Sequence, residues 1–288
     1  MKIIPAQTKK PPSPSSPLAG LAGEVEKSRE TVITGLKGSS PAFVAAALFR
    51  ALGKTALHVV PTEASARETR EALSLFLPPG EVIHFPSWDR FATSVQSLGD
   101  DVPSKRAAVL ARLLSPAPVL VVASLEALLC RVVPKKVLSG FMDLLAMGDR
   151  RDRDDLASKL LEGGYRRVSL VEREGEFSVR GDLVDFYGPG EEKPHRVEFM
   201  GDEIESIRRF DPETQRSREE VLEVPLAPVS EFIATAESLR RASRNLRIRA
   251  NEAGLSREER QRVAERLEGE TDRFPLPYLL PLFFTSPG

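Results

Sequence analysis

The sequence predicts an α/β protein: a parallel-sheet domain followed by an inserted α+β domain built on antiparallel hairpins. Three observations carry this prediction. From residue 31 to 125, short apolar runs alternate with helical patterns, the layout of a parallel sheet covered on both faces. From about 141 to 227 one helical pattern is followed by five extended segments, at 165–171, 176–187, 194–200, 203–210 and 220–226. From 235 onward the helical pattern returns.

Within the first region, TVITG (31–35) reads as a buried strand ending in glycine, and 41–52 as a helix with proline at its start, where a missing N–H costs nothing. Strands at 55–60, 81–85 and 119–123 alternate with helices at 62–76 and 103–114, and Ser124 stands as N-cap of the next apolar run. In the second region the helix DDLASKLLEGG ends at a glycine pair. Met200-Gly201-Asp202 signals a turn. In FSVRGDLVDFY the apolar parity slips at Gly181-Asp182, which predicts a bulge there. Two charged helices follow, the second opened by Ser256 and Glu259 at capping-box spacing. The expected organisation is a disordered Pro/Ser/Lys-rich tail (1–28), the α/β domain (29–149), the α+β domain (150–228) and a helical continuation of the first domain (229–288). The apolar, proline-punctuated end reads as part of something longer.

Composition narrows the function. The 288 residues include 41 basic and 42 acidic side chains, net −1, so the chain has no global footprint of a nucleic-acid binder. The single cysteine, Cys130, forms no internal disulfide and fits a reducing compartment. With only His58, His84 and His195 beside it, no metal-ligand spacing exists. His58 and His84 read as packing residues, and His195 as a candidate for the exposed face. No apolar run approaches a membrane span and the N-terminus has no signal-like apolar core, so the expected location is cytoplasmic, with no membrane partner.

The first strand runs into Gly35-Leu36-Lys37-Gly38-Ser39-Ser40-Pro41-Ala42. A working phosphate loop, GxxxxGK[ST], needs glycine backbone around the phosphates, a lysine on the β/γ-phosphates and a hydroxyl on magnesium. Aligned on Gly35, those places hold Ser40, Pro41 and Ala42. Proline supplies neither charge nor N–H, and alanine supplies no metal ligand. The slot is expected to be a structural strand-to-helix turn, Gly38 included, with neither ATP nor magnesium as cofactor.

Other charged groups admit blander readings. Asp202, Glu203, Glu205, Asp211 and Glu213 have no nucleophile or metal beside them and read as a solvated hairpin and loop. Arginines at 240, 244 and 247 share one helix face, an arrangement open to phosphate binding; acidic neighbours at 237, 252, 258, 259 and 265 favour a salt-bridged surface instead. Trp88, near Arg90 and Phe91, reads as a packed loop residue rather than a base-stacking platform. The strongest surface signal is Arg166, Arg167, Arg180 and Arg196 interleaved with Glu174, Glu176 and Glu198 on predicted strands. Extended side chains of alternating sign suit a docking face.

The run from Phe177 to Glu231 combines an FxVRG strand, a proline-glycine turn, an RVEFMGDEIESI hairpin and an FDPETQRS loop. It closely resembles the partner-binding domain of the bacterial excision-repair protein UvrB, which also occurs near the N-terminus of the transcription-repair coupling factors, the Mfd family. The preceding region resembles the first motor domain of UvrB, a RecA-like ATPase fold, with its phosphate loop erased as in the coupling factors. The stretch SWDRFATSVQSLGDDVPSKRAAV contains no tyrosine where UvrB carries a tyrosine-rich β-hairpin. The resemblance spans roughly 29–288. It implies that Arg167, Arg180, Arg196 and Glu198 match residues contacting UvrA, with Tyr187 in place of a UvrB phenylalanine. Ser178 departs from the family pattern, which has arginine there. It further implies a docking module without catalysis; ATP, magnesium, DNA and RNA polymerase would belong to a motor part absent from this chain. A UvrB-type ATPase and a nucleic-acid-binding module are the alternative readings.

Overall fold

The computed structural model describes residues 17–88, 102–268 and 279–284. The chain divides into two compact units, 1–85 with 115–126, and 86–114 with 127–288.

The first unit contains α1 (Pro17–Lys27), α2 (Ser40–Leu52), β1 (Ala56–Val60), α3 (Glu63–Ser74) and β2 (Val82–Phe85). The chain then passes through α4 (Val102–Arg112), which belongs to the second unit, and returns as β3 (Leu120–Ser124). The three strands form a parallel sheet in the order β1-β3-β2. β3 is buried along its whole length because both of its edges are paired. Ala42, Ala46 and Phe49 of α2 and Ala66 and Leu73 of α3 pack with Val82, Leu120 and Val122. Thr62 caps α3 by accepting from Ser65 N–H at 3.2 Å.

Two expectations change here. TVITG is not a strand: residues 31–35 pair with no sheet and Val32 is 77% exposed. A short β-branched apolar run favours an extended backbone but does not specify a partner strand. Part of the expected tail is helical, as α1 shows, while residues 1–16 lie outside the described residues.

α5 (Leu125–Leu128) follows directly on β3, and from Ala127 the second unit continues through α6 (Lys135–Phe141), β4 (Asp143–Ala146) and α7 (Arg153–Glu162). Six strands then make one sheet: β5 (Arg166–Arg167), β6 (Glu176–Arg180), β7 (Leu183–Phe186), β8 (His195–Met200), β9 (Glu203–Phe210) and β10 (Ser217–Glu220). They lie in chain order, all antiparallel except the short β5–β6 pair. β11 (Glu223–Leu226) returns to pair antiparallel with β4. α8 (Ala236–Glu252), α9 (Arg257–Glu268) and α10 (Leu280–Phe283) complete the described structure. The fold is thus mixed α/β, with separate parallel and antiparallel sheets.

One core of this unit joins Leu145 of β4, Leu156 and Leu160 of α7, and Phe177, Val184, Phe186, Val197 and Ile207 of the large sheet. A second joins Phe141 of α6, Phe232, Ile233, Ala242, Leu246 and Phe283. Arg106 of α4 and Glu231, both fully buried, pair with Nε and Oε1 2.5 Å apart. Arg106 also donates to Pro86 O at 2.8 Å and lies over Trp88, which is packed as expected. Burial pushes the Glu231 carboxyl above its ordinary pKa, against the pull of Arg106. Arg90 and Phe91 lie outside the described residues.

Further corrections concern the hairpins. The expected bulge at Gly181-Asp182 is a two-residue hairpin turn, with Arg180 opposite Leu183 and Gly181 at φ +58°. A reversal of direction shifts apolar parity just as an inserted residue does. Glycine at the first central position suits the right-handed twist of the two strands. Arg153 of α7 pins this turn by donating to Gly181 O at 2.6 Å. Bulge-like register shifts occur elsewhere, in β8 at Glu198–Phe199 and in β10 at Ser217–Glu219. His195 is not on the exposed face: it is buried against Phe186, and burial with the nearby Arg209 charge lowers its pKa to about 4. No helix among the described residues is long and apolar enough to cross a membrane.

Candidate docking face

Alternation along the large sheet sends Phe177, Val179, Val184, Phe186, Val197 and Phe199 to the core. The intervening residues therefore share the other face. The register aligns one row across five strands: Ser178, Asp185, Arg196, Arg208 and Glu220. Asp185, which the sequence reading passed over, is its centre. Its side chain is 1% exposed, yet it accepts from Arg196 Nε at 2.8 Å, Arg196 Nη2 at 2.9 Å and Arg180 Nη2 at 2.7 Å. Asp185 sits between Val184 and Phe186, so its alternation with two core residues was the available signal.

Arg196 does more than face outward. Its guanidinium lies 4.7 Å from the Phe210 ring and donates at 3.3 Å to both Gln215 O and Ser217 Oγ. The hydrogen bonds to Asp185 push its pKa up and keep it charged. Gln215, at φ +60°, donates from its side chain to Val171 O and Pro212 O at 3.0 and 2.7 Å. Asp211 accepts from Glu213 and Thr214 N–H, each at 3.0 Å. The FDPETQRS loop is therefore closed on itself and tied to β8 by Arg196. At 17% exposure Arg196 is mainly a framework residue, whereas Arg180, 45% exposed, presents its guanidinium to solvent.

The other predicted site residues fall around this pair. Glu198 accepts from Ser206 Oγ at 3.1 Å and lies 3.6 Å from Arg208, which also lies 3.6 Å from Glu220. Tyr187 is half-buried and donates to Glu192 O at 3.1 Å; burial and the charges of Glu174 and Glu191 push its pKa up. Arg167 is exposed and opposite Phe177, whereas its neighbour Arg166 is opposite Glu176 and bonds it at 2.6 Å. The register thus places Arg166, not Arg167, on the Arg180–Arg196 face. Burial raises the Glu176 carboxyl, but Glu172 N–H, Arg166 and Arg173 N–H together hold it below its ordinary pKa. Ser178 is buried opposite Asp185.

The glycine-rich turn lies in the first unit. Gly35 and Gly38 take positive φ, and α2 begins at Ser40 with Pro41 in its first turn and Ala42 buried. The Ser40 hydroxyl accepts from Lys37 N–H at 2.7 Å and donates to Lys37 O at 2.8 Å. A phosphate would need that N–H, a lysine amine and a hydroxyl free at once. No group of three or more His, Cys, Asp or Glu that could hold a metal occurs among the described residues.

Residues 144–232 match the family model described as the UvrB interaction domain. A transcription-repair-coupling factor from Myxococcus xanthus is 36% identical over 93% of this chain and 23% of its own length. The Bacillus subtilis (strain 168) transcription-repair-coupling factor is 28% identical over 90% of this chain and 23% of its own length. The UvrABC system protein B of Kosmotoga olearia is 28% identical over 84% of this chain and 38% of its own length. The chain therefore spans about a quarter of the coupling factors it matches.

Proposed function

We propose that this chain, which carries a UvrB interaction domain and is similar along nine tenths of its length to transcription-repair-coupling factors, is a module that docks UvrA through the outer face of its six-stranded sheet. The observation that carries the reading is the arginine pair anchored on buried Asp185. A charged partner meets guanidinium groups already fixed in position, next to the Glu198–Arg208–Glu220 array. Opposite charges so interleaved select a complementary surface and its register.

The first unit is then a RecA-like scaffold without nucleotide chemistry, since Ser40, Pro41 and Ala42 stand where phosphate and magnesium groups are needed. In a longer chain, ATP hydrolysis and the engagement of DNA and RNA polymerase would fall to other segments. This module would then bring the excision machinery to polymerase stalled at a lesion, in the cytoplasm.

The test is a biosensor titration against UvrA. Arg180→Glu weakens binding by roughly thirtyfold or more, the effect of losing an arginine that contributes about 2 kcal/mol to an interface. Arg180→Ala, which puts no second carboxylate beside Asp185, weakens binding too and lowers stability by at most about 1 kcal/mol, because Arg180 is 45% exposed and Arg196 still holds Asp185. Parent-like binding by both Arg180→Glu and Glu198→Arg would move the docking face elsewhere. Failure of the parent to bind UvrA would sink the assignment.

A further inference from the structure

The exposed side of α8 carries charge that the described residues leave unneutralised. The helix buries Ser238, Ala242, Leu246 and Ala250, one residue every turn. Arg240, Arg244 and Arg247 project from the opposite side and are exposed. Of the acidic neighbours expected to pair with them, Glu237, Glu252 and Glu259 are engaged elsewhere. Glu237 holds Arg241 at 2.6 Å, Glu252 holds Arg249 at 3.1 Å and Glu259 caps Ser256 N–H at 2.8 Å. Among the described residues, Arg240, Arg244 and Arg247 have no ion pair. Like charges three and four positions apart lower helix stability by a few tenths of a kcal/mol each. Among the described residues, nothing offsets that cost.

We infer that this stripe is a contact surface for the phosphate backbone of nucleic acid, used without base recognition. The three arginines lie in line over roughly 10 Å of helix, at about 1.5 Å per residue. That matches a linear array of charge rather than a single anion. Each guanidinium fork suits two phosphate oxygens. α8 itself carries no aromatic side chain to stack on a base. The lack of an aromatic anchor also distinguishes it from a protein-binding hot spot. Three phosphate contacts give sequence-independent binding that falls steeply with salt.

The decisive experiment is anisotropy of a labelled duplex titrated with the full chain between about 50 and 200 mM salt. Binding is expected at the low end, with log affinity falling against log salt at a slope of about −3. Replacing Arg240, Arg244 and Arg247 together by Gln lowers low-salt affinity by about tenfold or more and flattens the slope towards zero. The matched control replaces the exposed Arg50, Arg67 and Arg70 of the first unit by Gln; it carries the same net charge and keeps parent affinity. Equal loss in both triple variants would show only bulk charge and overturn the proposal. So would parent-like binding by the stripe variant, or no binding at low salt. Poly-glutamate competing as well as duplex at equal charge would overturn it in favour of an acidic protein partner.

Discussion

Arg196 and Asp185 are joined by two hydrogen bonds, 2.8 and 2.9 Å long, between adjacent strands of the large sheet. The carboxylate is almost wholly buried and the guanidinium mostly so. Sequence shows Arg180 and Arg196 as two equivalent outward arginines. The structure ties both to Asp185 but separates them by burial, with Arg180 45% and Arg196 17% exposed.

Arg196→Ala strips Asp185 of its bidentate partner and unties the FDPETQRS loop. Leaving a buried carboxylate with Arg180 alone costs about 3 kcal/mol, against at most about 1 for Arg180→Ala. Urea unfolding of the two variants measures this. Equal midpoints for Arg196→Ala and the parent would contradict it.

Mg-ATP produces no saturable heat in calorimetry of this chain, because the Ser40 hydroxyl already occupies the Lys37 N–H and Pro41 stands where lysine is needed. A micromolar dissociation constant would refute the reading of the glycine-rich turn.

Asp143 governs part of the acid stability. Burial raises its pKa, but hydrogen bonds from Arg151 at 2.7 Å and Lys159 at 2.6 Å outweigh that and bring it to about 2, below the ordinary 3.8. A depressed carboxyl contributes stability above its unfolded pKa and loses it as pH falls through the folded value. Asp143→Asn is therefore less stable by about 1–2 kcal/mol near neutrality, with the gap closing between pH 4 and pH 2. A gap constant over that window in pH-dependent unfolding would exclude the assignment.

Gly163 closes α7 against the Phe141 ring. A Cβ at Gly163 would collide with Phe141 Cζ. Gly163→Ala destabilises by about 1–3 kcal/mol through overpacking. Adding Phe141→Leu should recover part of that loss. A double-mutant cycle without coupling would show that the ring moves aside freely.

The sheet domain folds alone when cut at 143–230, but not at 150–228. The shorter segment omits Leu145 and Val229, both members of the sheet's core, and the strand that pairs with β11. Amide dispersion in NMR spectra of the two segments separates these outcomes. Dispersed signals from the shorter one would show that β4 is dispensable.

Much of the fold was legible because local patterns sufficed. The strands at 56–60, 82–85 and 120–124 and their intervening helices lie within a few residues of the apolar periodicity that predicts them. Partnership was not legible. TVITG has the apolar, β-branched composition of a strand but pairs with none, and a hairpin at Gly181 imitates a bulge in one dimension. Arg106 and Glu231 pair across 125 positions, a distance at which sequence shows two ordinary charges. Of the proposed docking residues, Arg180, Arg196 and Glu198 share a face because parity along a strand is local. Asp185 escaped notice because a buried carboxylate makes sense only once its two arginines are in place.

The Asp185 anchor has a kinetic consequence. Arg196 is immobilised in the free protein, so little rotamer entropy remains to be lost there when a partner arrives. Association over such a prearranged face proceeds without waiting for a rearrangement. Its rate is then governed by diffusion and long-range electrostatic steering, and falls as added salt screens the arginines. Weakening the anchor while leaving Arg180 in place would transfer that ordering cost to the encounter. The loss would be visible as slower capture of the partner even where the final contacts are the same.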